Sequence, residues 1–308
     1  MIEIALALIQ GVLAAGVRAG TPILYAMLGE IVSERAGVVN LGTDGAMLMG
    51  ACFGFITMAH TQDPFLSLLA AALAGAGISL IHAFMVVTLR ANQIASGLAL
   101  TFLSLGITSF IGRPYVKRAI DGIAQWSVPV LSKIPFLGPI LFRHDILVYG
   151  AYLCALLIWF FLFYTRGGLV LRAVGENSSV AFAMGIRVRR VQYLAVAFGG
   201  ICAGLAGAYL SLAYTRTWVE GMTNGRGIIA VALVIFSAWH PFWGAIGAIL
   251  FGTTFAFQLQ LQARGMTLSP YFLDMLPYLF TLFALLMGAK MRRHEMPEGI
   301  KKVFEEVG

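Results

Sequence analysis

Charge is what this sequence has least of. Of its 308 residues, 14 are Asp or Glu and 21 are Lys or Arg, together 11%, where an average soluble domain carries about a quarter. Hydrophobic residues make up 59%. A water-soluble fold needs more polar residues than this to cover its surface. A lipid-facing surface removes that requirement, provided every backbone polar group is satisfied by helix or barrel. Cysteine is scarce as well. Cys52, Cys154 and Cys202 each lie inside an apolar run, with neither metal-ligand spacing nor a disulfide framework, so they read as small buried apolar side chains.

Catalytic and energy-coupling motifs are also missing. The sequence has no HExxH, no Walker lysine motif and no nucleophile elbow. His60, His82, His144, His240 and His294 are scattered without a metal partner at helical spacing. Gly42-Thr43-Asp44-Gly45 faintly echoes intramembrane aspartyl proteases. Their Gly-x-Gly-Asp order is not kept, and Asp274 is the one other acidic candidate. No soluble domain is visible, so the net charge of +7 speaks against a nucleic-acid partner and for basic residues retained on the cytoplasmic side of a membrane. No carboxylate pair or inverted repeat marks an ion-coupled secondary transporter.

What is present is a succession of apolar stretches. A span needs about 20 apolar residues, and nine segments qualify: 4–28, 41–60, 65–89, 93–112, 146–164, 191–213, 226–240, 243–262 and 271–289. The expected fold is an all-α polytopic membrane protein of about nine transmembrane helices, within a range of 8–10, some of them broken. Residues 1–289 form a single membrane domain and 290–308 a short charged cytoplasmic tail. Arg18 and Pro22 interrupt the first span, which could divide into two helices. Met1-Ile2-Glu3 lacks the basic start of a cleaved signal peptide, so this stretch is expected to be retained. The 35 glycines suit close helix contacts in lipid.

Orientation follows from the basic loops. Arg166, Arg172, Arg187, Arg189 and Arg190 lie four spans before Lys290, Arg292, Arg293, Lys301 and Lys302. The two clusters therefore share one side, read as cytoplasmic. Nine spans place the N-terminus outside. The 113–143 loop also carries five basic residues, yet must lie on the other side. Its Pro114, Pro129, Pro135 and Pro139 rule out a regular helix. It reads equally as a packed connector or as a docking surface for an external partner.

Three segments could carry function. In 29–50, four ionised groups and five glycines separate apolar runs. The plain reading is a cytoplasmic loop with Glu34 and Arg35 solvated. Asn40 and Asp44, at the mouth of a span, are the stronger functional candidates, with Glu30 beside them. In 167–186, Asn177 or Ser178 can cap a short helix over 179–184 that Gly185 ends. Such a helix is stable only when something packs on it. It is also what a soluble motor would grip. The third is Gly225-Arg226-Gly227, where Arg226 could meet a polar solute or, more commonly, snorkel to headgroups.

The string Gly29–Met49 resembles the signature of bacterial permeases of the branched-chain amino acid and ribose importer family. Its nucleoside or simple-sugar subgroup reads G-E-x-x-x-E-R-x-G-x-x-N-L-G-x-E-G-x-M-L-x-G. Asp44 stands where Glu is usual. Ile134–Pro139, Arg172–Asn177 with Ala181 and Gly185, Gly225–Ala230 and Trp239-His240-Pro241 are similar to further parts of the pattern, in order, over residues 20–289. The resemblance implies one of two permease subunits around a central pathway for nucleosides or related solutes. Simple sugars or branched-chain amino acids are the alternatives within the family. It implies a cytoplasmic ATPase that binds ATP and Mg2+ and pushes on a coupling helix bearing Arg172, Gly175, Glu176, Asn177, Ala181 and Gly185. No cofactor is expected in this chain. An external solute-binding lipoprotein and a second, longer permease are the other implied partners, together with membrane lipid. The implied location is the bacterial inner membrane, and the implied pathway residues are Asn40, Asp44, Glu30 and Arg226.

Overall fold

A computed structural model describes residues 2–263, 272, 275, 276, 279, 282, 283 and 296–305. The expected span 271–289 and residues 290–295 lie largely outside the described residues. The described residues are mainly helical, with one two-stranded antiparallel sheet, β1 (Gln125–Ser127) with β2 (Arg143–Asp145).

Helix α1 runs unbroken from Ile2 to Arg35 with Pro22 inside it. Pro22 removes one backbone donor without ending the helix, and the neighbouring Thr21 turns its hydroxyl inward to the Val17 carbonyl (2.8 Å). Next come α2 (Thr43–Thr61), α3 (Pro64–Ala83, continued by a π-helical turn to Thr88) and α4 (Gln93–Gly112). Polar caps set the starts. Asp63 accepts from the Phe65 amide (2.8 Å) ahead of Pro64 at the first helical position, and Asn92 accepts from Ala95 (2.9 Å). The proline-rich 113–145 stretch holds the two-stranded sheet and a short α5 (Leu137–Leu141). Asp145 then caps α6 (Ile146–Tyr164). Two short helices, α7 (Arg166–Glu176) and α8 (Ser178–Ala183), precede α9 (Val188–Ala208, continued by a π turn to Tyr214). The chain closes with α10 (Arg226–Phe236), α11 (Pro241–Ala263) and α12 (Glu298–Glu305).

Six of these helices are long and apolar enough to cross a bilayer: α1, α3, α4, α6, α9 and α11. The expected 41–60 span is α2, a central helix with 12 of its 19 residues buried, whose Thr43, Asp44 and glycines lower its apolarity. The expected 226–240 span is shorter than a crossing. Its helix has 11 residues, about 16 Å at 1.5 Å per residue.

Inner and outer helices differ in burial. The spanning windows of α1 and α9 are 72% buried, those of α3, α4 and α6 only 28–33%. Lipid is as apolar as leucine, so helices associate in it through close contact rather than through exclusion of water. The centre is accordingly built on small residues. A Cβ at Gly50 of α2 would lie 2.2 Å from the Gly204 carbonyl of α9, and one at Gly204 would lie 2.2 Å from the Ala71 carbonyl of α3.

The basic loops sort as expected. Gly175 of α7 lies against Arg35 and Gly37, and Gly299 of the tail lies against Gly175, so the 166–187 segment and the tail share the end where α1 finishes. The 113–145 stretch sits at the other end and bonds to the last turn of α9 and the chain just after it, with the Ile123 amide donating to the Leu212 carbonyl (2.9 Å) and the Ile120 amide to the Arg216 carbonyl (3.2 Å). Its inner side is a packed connector, while Trp126, Val130 and Leu137 stay exposed.

Candidate functional site

The apolar run of the first span ends near residue 28, but α1 goes on for two more turns and buries its acids. Residues 36–42 then fold back along it. Glu30, 1% exposed, accepts from the Asn40 amide at Oε1 (2.6 Å) and from the Thr43 hydroxyl at Oε2 (3.1 Å). The Asn40 side chain accepts from the Gly42 amide (2.9 Å) and reaches Ser79 on α3 (3.5 Å). Glu34, 2% exposed, accepts from the Trp239 indole (2.5 Å). Arg35 donates to the carbonyls of Ala238 (3.3 Å) and Trp239 (3.5 Å). Both of these residues have positive φ, 50° and 56°, in the turn that joins α10 to α11. The expected solvated loop is therefore wrong. These buried side chains are tolerated here because each finds a hydrogen-bond partner.

Asp44 stands one residue into α2 and faces the start of α10. Its Oδ1 accepts from the Gly227 amide (2.8 Å), its Oδ2 from the Thr223 hydroxyl (3.0 Å). A helix start exposes unpaired amides and a partial positive charge. Gly225, the residue before α10, offers no side chain for this, so Asp44 caps the half-length helix from a different helix. The approach is tight, since a Cβ at Gly227 would lie 2.4 Å from the Asp44 backbone. Arg226 does not extend freely toward headgroups. Its Nη1 donates to the Met222 carbonyl (3.1 Å) and its guanidinium lies over Phe255, 5.1 Å from the ring centre.

The 165–187 segment forms a second cluster. Thr165 caps α7 through the Gly168 amide (3.0 Å). Asn177 closes α7 and caps α8 through the Val180 amide (3.0 Å). Gly185, at φ 81°, ends α8 in the left-handed conformation that favours glycine. Ala181 is buried against the protein, while Val180, Phe182 and Met184 are 57%, 74% and 78% exposed. Arg172 lies over Phe163, 5.4 Å from its centre, and Glu176 is exposed. Gly175 seats α7 directly on α1, where a Cβ would come within 2.2 Å of the Arg35 carbonyl.

The structure thus brings Glu30, Asn40, Asp44 and Arg226 together beside the start of α10, and places the six 172–185 residues on the α7–α8 pair. The two groups meet at the end of α1. Sequence reasoning missed the residues that join them: Thr223, Trp239, Gly37 and Gly299. Trp239-His240-Pro241 stood out as a motif, but nothing in the spacing shows that its indole reaches a glutamate 205 positions earlier.

The profile of the family described as "Branched-chain amino acid transport system / permease component" matches residues 12–286. The chain belongs to this permease family. It is similar to the putative glucose ABC transporter permease protein TsgC13 of Haloferax volcanii, with 44% identity over 84% of this chain and 80% of that protein. It is also similar to the guanosine ABC transporter permease protein NupQ of Bacillus subtilis, 37% identical over 86% and 87% of the two chains. NupP, a second guanosine permease of that organism, is 25% identical over 77% and 70%. No solved structure matches.

As a member of the family, the chain is a multi-pass permease subunit of the cytoplasmic membrane, a transport component rather than a catalyst. In the permease, α10 is a half-length helix capped by a side chain of α2, and α7–α8 is an exposed apolar ridge at the end where α1 finishes.

Proposed function

We propose that this permease forms one half of the pathway of an ATP-driven importer for neutral, sugar-bearing solutes, nucleosides first among them. Hydrolysis belongs to a separate cytoplasmic ATPase that grips α8. A second, longer permease completes the pathway, and an external binding protein delivers solute. The names of NupQ and TsgC13 support nucleosides and sugars, and the NupP and NupQ pair supports a heterodimer.

The observation that carries the solute class is Asp44. Broken helices in transporters often aim an N-terminus at an anionic part of the substrate. Here that position is filled by the protein's own carboxylate, and Arg226 is engaged by Met222 and Phe255. A branched-chain amino acid would bring a carboxylate with no positive group left for it at this start, whereas a nucleoside or sugar needs none.

The same contacts support a route for the stroke. Pressure on Val180, Phe182 and Met184 reaches α7, then the Gly175 contact, then the end of α1. There Glu34 and Arg35 hold the α10–α11 turn while Glu30 holds the chain leading to Asp44. In this reading Asn40 and Glu30 work from behind the pathway wall by fixing the chain that leads to Asp44, whose carboxylate stands at the start of α10. Uptake of labelled guanosine, glucose and leucine by the complete complex in proteoliposomes tests the proposal. Guanosine uptake that excess leucine does not compete is expected; ATP-dependent leucine uptake overturns the assignment.

A further inference from the structure

Beside α8 the cytoplasmic end opens into a cleft of about 850 Å3 between the α8–α9 connection and the turn after α3. Four arginines line it: Arg90, Arg187, Arg189 and Arg190, with Phe182 and Val86 on its apolar walls. All four arginines are exposed. Their side chains make no ion pair, hydrogen bond or ring contact among the described residues, where the one ion pair is Lys301 with Glu298. Arg90 is held at φ 56°, a backbone conformation uncommon for arginine. The cleft also lies at the start of α9, where Arg187 provides no side-chain cap, so the helix adds its positive end to the four charges. Like charges gathered this closely repel, and the free energy of the cleft falls when an anion enters.

We infer that the cleft receives an acidic protrusion of the ATPase, so that the coupling interface is a ridge and a socket side by side. This rests on the proposal that α8 meets the ATPase. The argument is charge complementarity joined to continuity: Phe182 stands on the ridge and also lines the socket, so a partner that covers one lies at the mouth of the other. The pairing has a mechanical consequence. A ridge of apolar side chains transmits a push toward the membrane. A socket that holds a charged protrusion also transmits the return when the ATPase opens.

The test uses the complete complex in nanodiscs of neutral phosphatidylcholine, with ATPase binding to the embedded permease pair read by titration at low and high salt. Wild-type binding should weaken with salt. The double variant Arg90→Glu/Arg189→Glu should lose at least tenfold in affinity at low salt, and Arg90→Lys/Arg189→Lys should recover most of it. Wild-type affinity in the Glu variant overturns the socket, as does a loss that appears only when the discs contain phosphatidylglycerol, which would mark the arginines as lipid contacts. Phe182→Asp separates the two readings. If it weakens binding while the arginine variant does not, α8 docking stands and the socket falls. If neither weakens binding, both fall together.

Discussion

At Gly204, α9 passes so close to α3 that a Cβ would lie 2.2 Å from the Ala71 carbonyl; at Gly185, just beyond α8, a Cβ would meet nothing within 4 Å. Both are glycines, yet one is fixed by space and the other by backbone angle. The contrast runs through the molecule. The centre is closed, its helix backbones approach one another closely, and movement has little room. The α7–α8 ridge is open, with three exposed apolar side chains and every cap supplied locally. Such a surface gains stability from a partner, whereas the centre gains nothing further. In the stroke proposed above, a push at the ridge would travel through this closed body to the start of the half-length α10.

The largest effect that could break this contrast comes from Gly204→Leu. Four added carbons cannot fit at a 2.2 Å approach to backbone. Overpacking costs about 1–3 kcal/mol even where side chains can shift, and here the obstacle is a carbonyl. Loss of the monodisperse peak in detergent size exclusion is expected. A normally folded Gly204→Leu protein would remove the claim that the centre is closed. Next in size is Gly175→Val, which should wedge α7 from α1 while leaving the spanning helices intact. Uptake should fall at least tenfold with ATP hydrolysis retained. Gly185→Ala, which clashes with nothing, should cost about 1 kcal/mol through its positive φ alone and lower uptake only a few-fold. Equal losses for the two variants would sink the idea that the Gly175 contact carries the stroke.

Much of the fold was readable because lipid imposes a strong pattern. The expected 146–164 and 93–112 spans coincide with α6 and α4, both lipid-facing helices with polar caps. The failures lie where buried polarity breaks that pattern. The first span was ended at residue 28 because Glu30, Glu34 and Arg35 look like a loop, and only partners 10 and 205 positions away show otherwise. The 226–240 run looked like a span because its residues are apolar, but a carboxylate on α2 and a two-residue turn at Ala238-Trp239 confine the helix to half a crossing. The shared end of the two basic clusters was legible, since the Gly299–Gly175 contact places the tail beside 166–187, although 226–240, one of the four spans counted between them, is not a full crossing. The Asn177 cap and the Gly185 stop were also legible, since both rest on local backbone chemistry.

A smaller effect sharpens the comparison from within the closed region. Trp239→Phe keeps an aromatic ring but removes the indole N–H that donates to the buried Glu34 carboxylate, and leaves a small cavity in place of the rest of the indole. Leaving a buried acceptor unmet costs about 1–3 kcal/mol. A lower melting temperature of the purified permease is expected, with a parallel loss for Glu34→Ala and no further loss in the double variant. Additive losses would mean that the two side chains act separately.

The smallest change is Asp44→Asn, and it is the most informative. The amide oxygen can still accept from Gly227 or Thr223, so the cap is thinned without being removed. What disappears is the full charge facing the start of α10, worth about 0.3–1 kcal/mol at a helix terminus and up to about 2 where partly buried. Stability should change little and uptake of the neutral solute should fall a few-fold. The same substitution takes the negative charge away from the positive end of α10. An anionic analogue, such as a nucleoside carrying a carboxylate, should therefore compete better against the variant than against the wild type. If Asp44→Asn leaves the ranking of neutral and anionic competitors unchanged, the start of α10 does not face the solute, and the argument from Asp44 to a neutral substrate fails even though the cap itself is real.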